Sequence, residues 1–195
     1  MINIFKLSLS FLFLNIMTFA FADSEILGDQ AYLMKKDKAI GISPILTPVK
    51  VIKELKNKTI IQIRGFRLEN YPQMIVRDMK RGELYVETKD EESSNKSFKI
   101  IKKYEDDYGE VWHEVEGIFV IDSKKIAKKP KGLYLKAKKM YERTCSMCHH
   151  LPAPSSYTVN QWPQQIESMM EQVALDVPTK SFIIKYLQQN AADAN

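Results

Sequence analysis

The hydropathy pattern of the chain changes its period once, near Gly132. Before that point, apolar and polar residues alternate in short runs separated by polar turns, which predicts β-strands. After it, apolar residues recur at the three- and four-residue spacing of an α-helix. The predicted strands are residues 47–53, 59–66, 83–88, 97–104 and 111–120. Strands of this length and spacing predict a small antiparallel barrel or sandwich, followed by helices.

Three helices are expected after Gly132. The first ends near Cys145, and the second runs from 161 to about 173, with Asn160 as its N-cap and Pro163 in its first turn. The third covers residues 181–190 and has an apolar stripe of Phe182, Ile183, Tyr186 and Leu187. Residues 90–96 are expected to form a solvated hairpin loop, and residues 191–195 a frayed tail.

Residues 1–22 have the pattern of a secretory signal peptide. Lys6 supplies a positive charge, residues 7–19 are mostly apolar, and Ala20-Phe21-Ala22 gives a small-x-small cleavage pattern. The apolar run is shorter than the roughly 20 residues of a membrane span, although an uncleaved anchor is the alternative. We therefore expect a mature chain that begins near Asp23 in the periplasm and has no stable membrane span after cleavage.

The composition excludes several classes of protein. The chain has 195 residues, of which 45% are hydrophobic and 27% charged, the balance of a folded soluble protein. Two cysteines are too few for a disulfide-rich scaffold. The formal net charge of +5 is modest, and we expect no nucleic-acid partner, because such proteins concentrate basic residues on one face.

Residues 123–139 form a basic stretch, of which residues 123–134 are expected to be a linker. Its lysines are Lys124, Lys125, Lys128, Lys129, Lys131, Lys136, Lys138 and Lys139. Such a stretch either keeps a linker soluble or steers an acidic partner towards the protein, and the sequence leaves both interpretations open.

Residues 145–149 form a C-x-x-C-H motif, the attachment pattern of a c-type haem. A zinc site would need two more ligands at structural spacing, and the chain has no other cysteine. A thioredoxin-like pair would need a βαβ context, whereas this motif follows a predicted helix. The sequence therefore predicts one covalently bound haem c, with Cys145 and Cys148 as its thioether residues and His149 as the proximal iron ligand.

The iron would need a sixth ligand or an open site. Candidates beyond the motif are Met169, Met170, Met140, His150 and His113. Met169 lies 20 residues after His149 on a predicted helix, a distance that lets the chain fold round to the far face of the haem. Met170 is the second candidate, since neighbouring helical residues point in different directions and at most one can ligate. His150 is too close to His149 to reach the opposite face, and His113 is expected to be a strand or turn residue.

The sequence resembles known cytochromes in several strings. Residues 131–191 resemble class I c-type cytochromes, in which Ala137 and Tyr141 match the first helix and Tyr186-Leu187 the last. The resemblance is closer to the C-terminal monohaem part of the multihaem cytochrome of trimethylamine-N-oxide reductase systems. It rests on C-x-x-C-H-x-L-P at 145–152, Asn160-Gln161-Trp162 followed by Met169, 185–188, 46–51, Arg64-Gly65-Phe66 and Trp112-His113.

This resemblance implies an α+β fold. A small SH3-like antiparallel β-domain (residues 23–122) would precede an all-α class I cytochrome c-like haem domain (residues 135–195). Met169, seven residues after Trp162, would be the distal iron ligand. The protein would be an electron carrier and not an enzyme, passing single electrons to a periplasmic molybdopterin reductase of N-oxides or S-oxides. Because the chain has one C-x-x-C-H motif, a separate quinol-oxidising multihaem protein or cytochrome would reduce it.

Two other functions stay open at this point. An open sixth position would allow peroxidase-like chemistry or ligand sensing. Alternatively, the β-domain would be a docking module in which the haem is accessory.

Overall fold

The computed structural model describes residues 25–146, 150–170 and 175–195. Within these residues the chain forms nine β-strands, mostly in its first two thirds, and four α-helices. The strands are β1 (Glu25–Ile26), β2 (Ala31–Lys35), β3 (Lys38–Ser43), β4 (Pro48–Glu54), β5 (Lys58–Leu68), β6 (Met74–Val76), β7 (Leu84–Thr88), β8 (Phe98–Glu105) and β9 (Val111–Asp122). The helices are α1 (Glu91–Ser97), α2 (Pro130–Cys145), α3 (Trp162–Met170) and α4 (Val177–Gln188).

All the described strands belong to one antiparallel sheet in the order β1-β4-β5-β6-β7-β3-β2-β9-β8. Strand β5 also pairs with β9, in continuous register from Lys58↔Asp122 to Leu68↔Trp112. This pairing closes β5, β6, β7, β3, β2 and β9 into a six-stranded barrel. Strands β4 and β1 continue the sheet beyond β5, and β8 continues it beyond β9.

The barrel interior follows from the alternation in the two longest strands. In β5, Ile61 and Ile63 point inward, and in β9, Val115, Phe119 and Ile121 do so; all five are nearly or fully buried. Gly65 lets β6 approach β5, since a Cβ at this position would lie 2.6 Å from the Val76 carbonyl oxygen.

A second hydrophobic core lies between helices α2, α3 and α4 and the barrel. It combines Ala137, Tyr141, Trp162 and Leu187 of the helices with Ile26 of β1 and Leu46 of the β3–β4 loop. These helices have 16, 9 and 12 residues. Helices of about this length are marginal alone in water and need packing of their apolar face.

The predicted fold class is wrong. The structure is mostly one large sheet closed into a six-stranded barrel, and not a small SH3-like domain followed by an all-α class I cytochrome c-like domain. The physical reason lies in the second core: the three C-terminal helices bury their apolar faces partly against residues of the β-rich part, Ile26 of β1 and Leu46 of the β3–β4 loop.

The local predictions have mixed outcomes. The five predicted strands are confirmed as β4, β5, β7, β8 and β9, with small shifts at their ends. The loop predicted at residues 90–96 is wrong, because Asp90 caps α1 by accepting a hydrogen bond from the Ser93 backbone amide. The frayed tail is also wrong: Ala194 is buried, and its carbonyl oxygen accepts a 2.6 Å hydrogen bond from Arg77.

The proposed signal peptide lies outside the described residues. Across the part of the chain that the structure describes, no helix is both long enough and apolar enough to cross a membrane.

Candidate functional site

Helix α2 carries Cys145 as its last residue. Pro130 occupies its first turn, and Ala137 and Tyr141 are buried against the rest of the second core. The Cys145 thiol is half-buried, and its burial raises its pKa. Cys148 and His149, the other predicted haem-binding residues, lie outside the described residues.

The segment that follows the motif is held by two aromatic side chains. The Tyr141 hydroxyl donates a 2.8 Å hydrogen bond to the Pro152 carbonyl oxygen, and the Trp162 indole donates one of the same length to the Pro154 carbonyl oxygen. Trp162 is fully buried and contacts the rings of Tyr141 and Tyr157 edge-on, with ring centroids 6.0 and 5.0 Å apart. The chain on the C-terminal side of the motif is thereby fixed beside α2.

Helix α3 presents both candidate thioethers to the same core. Trp162 and Ile166 are buried, while Met169 and Met170 are half-buried against the second core. At about 100° per residue, Met169 lies within about 20° of Trp162 around the helix, and Met170 lies about 80° from it. Both methionines therefore lie on the inward side of α3, and which of them would ligate iron stays a prediction.

The other candidate ligands lie in different surroundings. His113 is a buried residue of β9, as predicted for a strand histidine, and pairs in register with Arg67 of β5. His150 is exposed, and Met140 is half-buried on α2. His113 thus belongs to the barrel and not to the core around Cys145.

A groove of about 590 Å³ runs along the exposed side of α2, within the size range of small-molecule sites. Its apolar lining includes Leu135, Met140 and Leu175. Its cationic lining is Lys136, Lys139 and Arg143, and Thr144, the neighbour of Cys145, also lines it. Within residues 25–146, 150–170 and 175–195, no group of three or more His, Cys, Asp or Glu side chains is placed to hold a metal ion.

A buried ion pair joins α4 to the barrel. The Lys185 ammonium contacts the Glu83 carboxylate, and the two side chains are 3% and 1% exposed. Lys185 also donates a 2.9 Å hydrogen bond to the Leu84 carbonyl oxygen and lies 4.9 Å from the centroid of the Tyr85 ring. Burial lowers the pKa of Lys185, and Glu83 opposes that shift.

Sequence reasoning missed this pair, although a signal was present. Lys185 lies three residues after Phe182, and so on the buried face of α4. A lysine on such a face needs a buried partner, because an unpaired charge in the interior is costly.

The predicted N-cap role of Asn160 is also wrong. Its side-chain oxygen accepts a 2.7 Å hydrogen bond from the Gly82 amide, and its side-chain amide donates one of 2.7 Å to the Lys80 carbonyl oxygen. The Trp162 amide instead bonds to the Thr158 carbonyl oxygen. Asn160 therefore connects the start of α3 to the barrel.

Comparisons with known proteins relate part of the chain to cytochromes. Over 63 residues it is 33% identical to the cytochrome c-type protein TorC of Escherichia coli O157:H7, and 32% identical to that of Escherichia coli strain K12. The matched stretch is 32% of this chain and 16% of the length of each relative. No protein-family model and no solved structure matches the chain. Part of this chain is therefore similar to part of a c-type cytochrome.

Proposed function

We propose that the protein is a periplasmic monohaem c-type cytochrome that passes single electrons to a molybdopterin reductase of N-oxides or S-oxides. The observation that carries the proposal is a C-x-x-C-H motif in a chain that is partly similar to a c-type cytochrome. When bound, haem c supplies the one-electron Fe(III)/Fe(II) couple. On this proposal the protein has no substrate of its own.

The haem would be held by the motif at the end of α2. Cys145 and Cys148 would each add a thiol across one vinyl group, forming a carbon–sulfur and a carbon–hydrogen bond with no leaving group. Cys145 is half-buried at the end of α2 and packs against the second core, which supports this role. His149 would supply the proximal imidazole nitrogen.

Cys145 packs at the edge of the second core, which is apolar. Other side chains there are also only partly buried, among them Met140, Leu151, Met169, Leu175 and Ile184. A haem ring that covered side chains of this kind would gain about 25 cal/mol for each Å² of apolar surface removed from water. Tyr141 and Trp162 would keep the chain after the motif in place, through their bonds to backbone carbonyl oxygens.

Met169 is the proposed distal ligand, with Met170 as the second candidate. Both are on the inward side of α3, which supports a thioether ligand. Ligation by methionine and histidine raises the potential of a haem and so favours delivery of electrons to a high-potential acceptor.

The periplasmic location is supported by the signal-peptide pattern of residues 1–22. The acceptor follows from the resemblance to cytochromes of trimethylamine-N-oxide reductase systems. The donor would be a separate quinol-oxidising multihaem protein or cytochrome. Lys136, Lys138 and Lys139 are exposed on α2, next to the motif, where they would attract an acidic partner.

Electron delivery can be tested with the purified, reduced holoprotein and a periplasmic molybdopterin N-oxide reductase. We expect rapid reoxidation of the haem only when both the reductase and trimethylamine N-oxide are present. No reoxidation under these conditions would contradict the proposed acceptor. If the oxidised protein lacks the near-infrared thioether band and reacts with peroxide, the open-site alternative is correct instead.

A further inference from the structure

The loop between β6 and β7, residues 77–83, contacts three separate parts of the C-terminal segment. Its contacts are Lys80 and Gly82 with Asn160, Arg77 and Arg81 with the carbonyl oxygens of Asp193 and Ala194, and Glu83 with Lys185 and Gln189. One barrel loop therefore sets where α3, α4 and the chain end lie relative to each other.

Asn160 is the contact that belongs to α3. Its amide oxygen and its amide nitrogen both bond to the backbone of this loop, each at 2.7 Å. Backbone partners do not change rotamer, so the two bonds fix both the distance and the orientation of the side chain. The approach is close: a Cβ added at Gly82 would lie 3.2 Å from the Asn160 oxygen.

A change in the tilt of α3 at this contact would displace its far end most. Asn160 lies two residues before Trp162, where α3 begins, and Met169 lies nine residues after Asn160. At 1.5 Å per residue the separation is about 14 Å, so a tilt of about 5° at the first turn moves Met169 by about 1 Å. A functional side chain must be held within about 0.5 Å of its productive position.

We propose that Asn160 is a positioning residue for the distal ligand, which fixes α3 to the β6–β7 loop and so determines how firmly Met169 is held at the iron. This inference rests on the proposed function, in which Met169 is the sixth ligand. On this proposal the barrel contributes to electron transfer, because its β6–β7 loop would affect how strongly Met169 binds the iron. Groups that bond directly to a metal ligand typically change affinity or activity by about 10–100-fold when removed. Asn160 acts through the helix instead of bonding to Met169, so we expect an effect at the lower end of this range.

The test uses the ferric holoprotein and imidazole as an external ligand that competes with the methionine. We expect Asn160→Ala to bind imidazole about 10-fold more tightly than the wild type, to have a weaker near-infrared thioether band and to have a lower midpoint potential. Asn160→Asp keeps the acceptor for the Gly82 amide and loses the donor to Lys80, so its imidazole affinity should lie between the two. Gln164→Ala changes an exposed residue of α3 and is the matched control, expected to behave as the wild type.

The outcomes separate the two proposals. A wild-type protein without the thioether band would contradict Met169 ligation and, with it, this inference. A wild-type protein with the band, together with an unchanged imidazole affinity in Asn160→Ala, would overturn the inference alone. Equal weakening in Gln164→Ala would also overturn it, because the effect would then reflect general fragility of α3. Thermal unfolding of each variant is measured to check that the fold is retained.

Discussion

Met169 and Met170 offer two thioethers of the same chemistry at neighbouring positions on α3, which makes them mutual controls. If Met169 ligates the iron, Met169→Ala should remove the near-infrared thioether band and lower the midpoint potential, because a thioether favours Fe(II). Met170→Ala should change both much less. Optical spectra and potentiometry of the two variants measure this. If Met170→Ala removes the band and Met169→Ala keeps it, Met170 is the ligand. If neither variant changes the spectrum or the potential, the sixth position is open.

His113 is expected to make stability depend on pH. It is 5% exposed, and burial lowers its pKa from 6.5, aided by Lys103 and Arg67 and opposed by Glu69. As pH falls below 6.5, the unfolded chain binds a proton at this histidine before the folded protein does. The free energy of unfolding is therefore highest above pH 6.5 and decreases as pH falls towards the lower pKa of the folded state. Between pH 7 and 5 the wild type should lose more unfolding free energy in urea than His113→Gln. Parallel losses in the two proteins would contradict this account.

At the scale of elements, short runs rich in apolar residues and separated by polar turns predicted β4, β5, β7, β8 and β9. The β2–β3 hairpin was missed because its two-residue turn is Lys36-Asp37. Both residues have positive φ, 48° and 61°, without the Asn-Gly or Asp-Gly pair that signals such a turn. The β5–β9 closure depends on a register between residues about 50 positions apart, which no local pattern specifies.

The same limit applies to the site. The C-x-x-C-H motif is local, so spacing alone predicts Cys145, Cys148 and His149 as haem-binding residues, and this stays a prediction. The Glu83–Lys185 and Gly82–Asn160 contacts join residues 102 and 78 positions apart in the chain, and only the folded structure brings them together.

The Glu83–Lys185 pair predicts a large effect at the junction of α4 with the barrel. Lys185→Met should cost about 3 kcal/mol of unfolding free energy, because it removes the nearest cation from the buried Glu83 carboxylate. Arg77, at 3.7 Å, and the Gln189 amide remain as partners of that carboxylate and limit the loss. The double variant with Glu83→Gln should recover part of that loss. Lys180→Met is the control on the same helix, since its partner Glu167 is largely exposed and such pairs contribute little. Urea titration measures all four proteins, and equal losses in Lys185→Met and Lys180→Met would refute a stabilising junction.

At the scale of the whole molecule, the rate of association with the reductase should depend more on where the positive charges lie than on the net charge. Replacing Lys136, Lys138 and Lys139 by Glu changes the formal net charge from +5 to −1. If α2 steers an acidic reductase, this variant should associate more slowly, and the wild-type rate should fall as salt rises. The triple Lys→Glu variant at 53, 56 and 58, on exposed positions of the barrel, makes the same change in net charge. Stopped-flow rates that are equal in both variants, or independent of salt, would leave the α2 lysines as solubilising residues.

We propose above all that this chain carries one haem c through Cys145 and Cys148. The most direct measurement is haem staining after denaturing electrophoresis of the protein exported to the periplasm, together with its intact mass. We expect the wild type to stain and to have the mass of the mature chain plus one haem, because thioether bonds survive denaturation. The Cys145→Ala, Cys148→Ala double variant should neither stain nor carry the added mass. A wild type without stain, or a double variant that stains fully, would contradict the account.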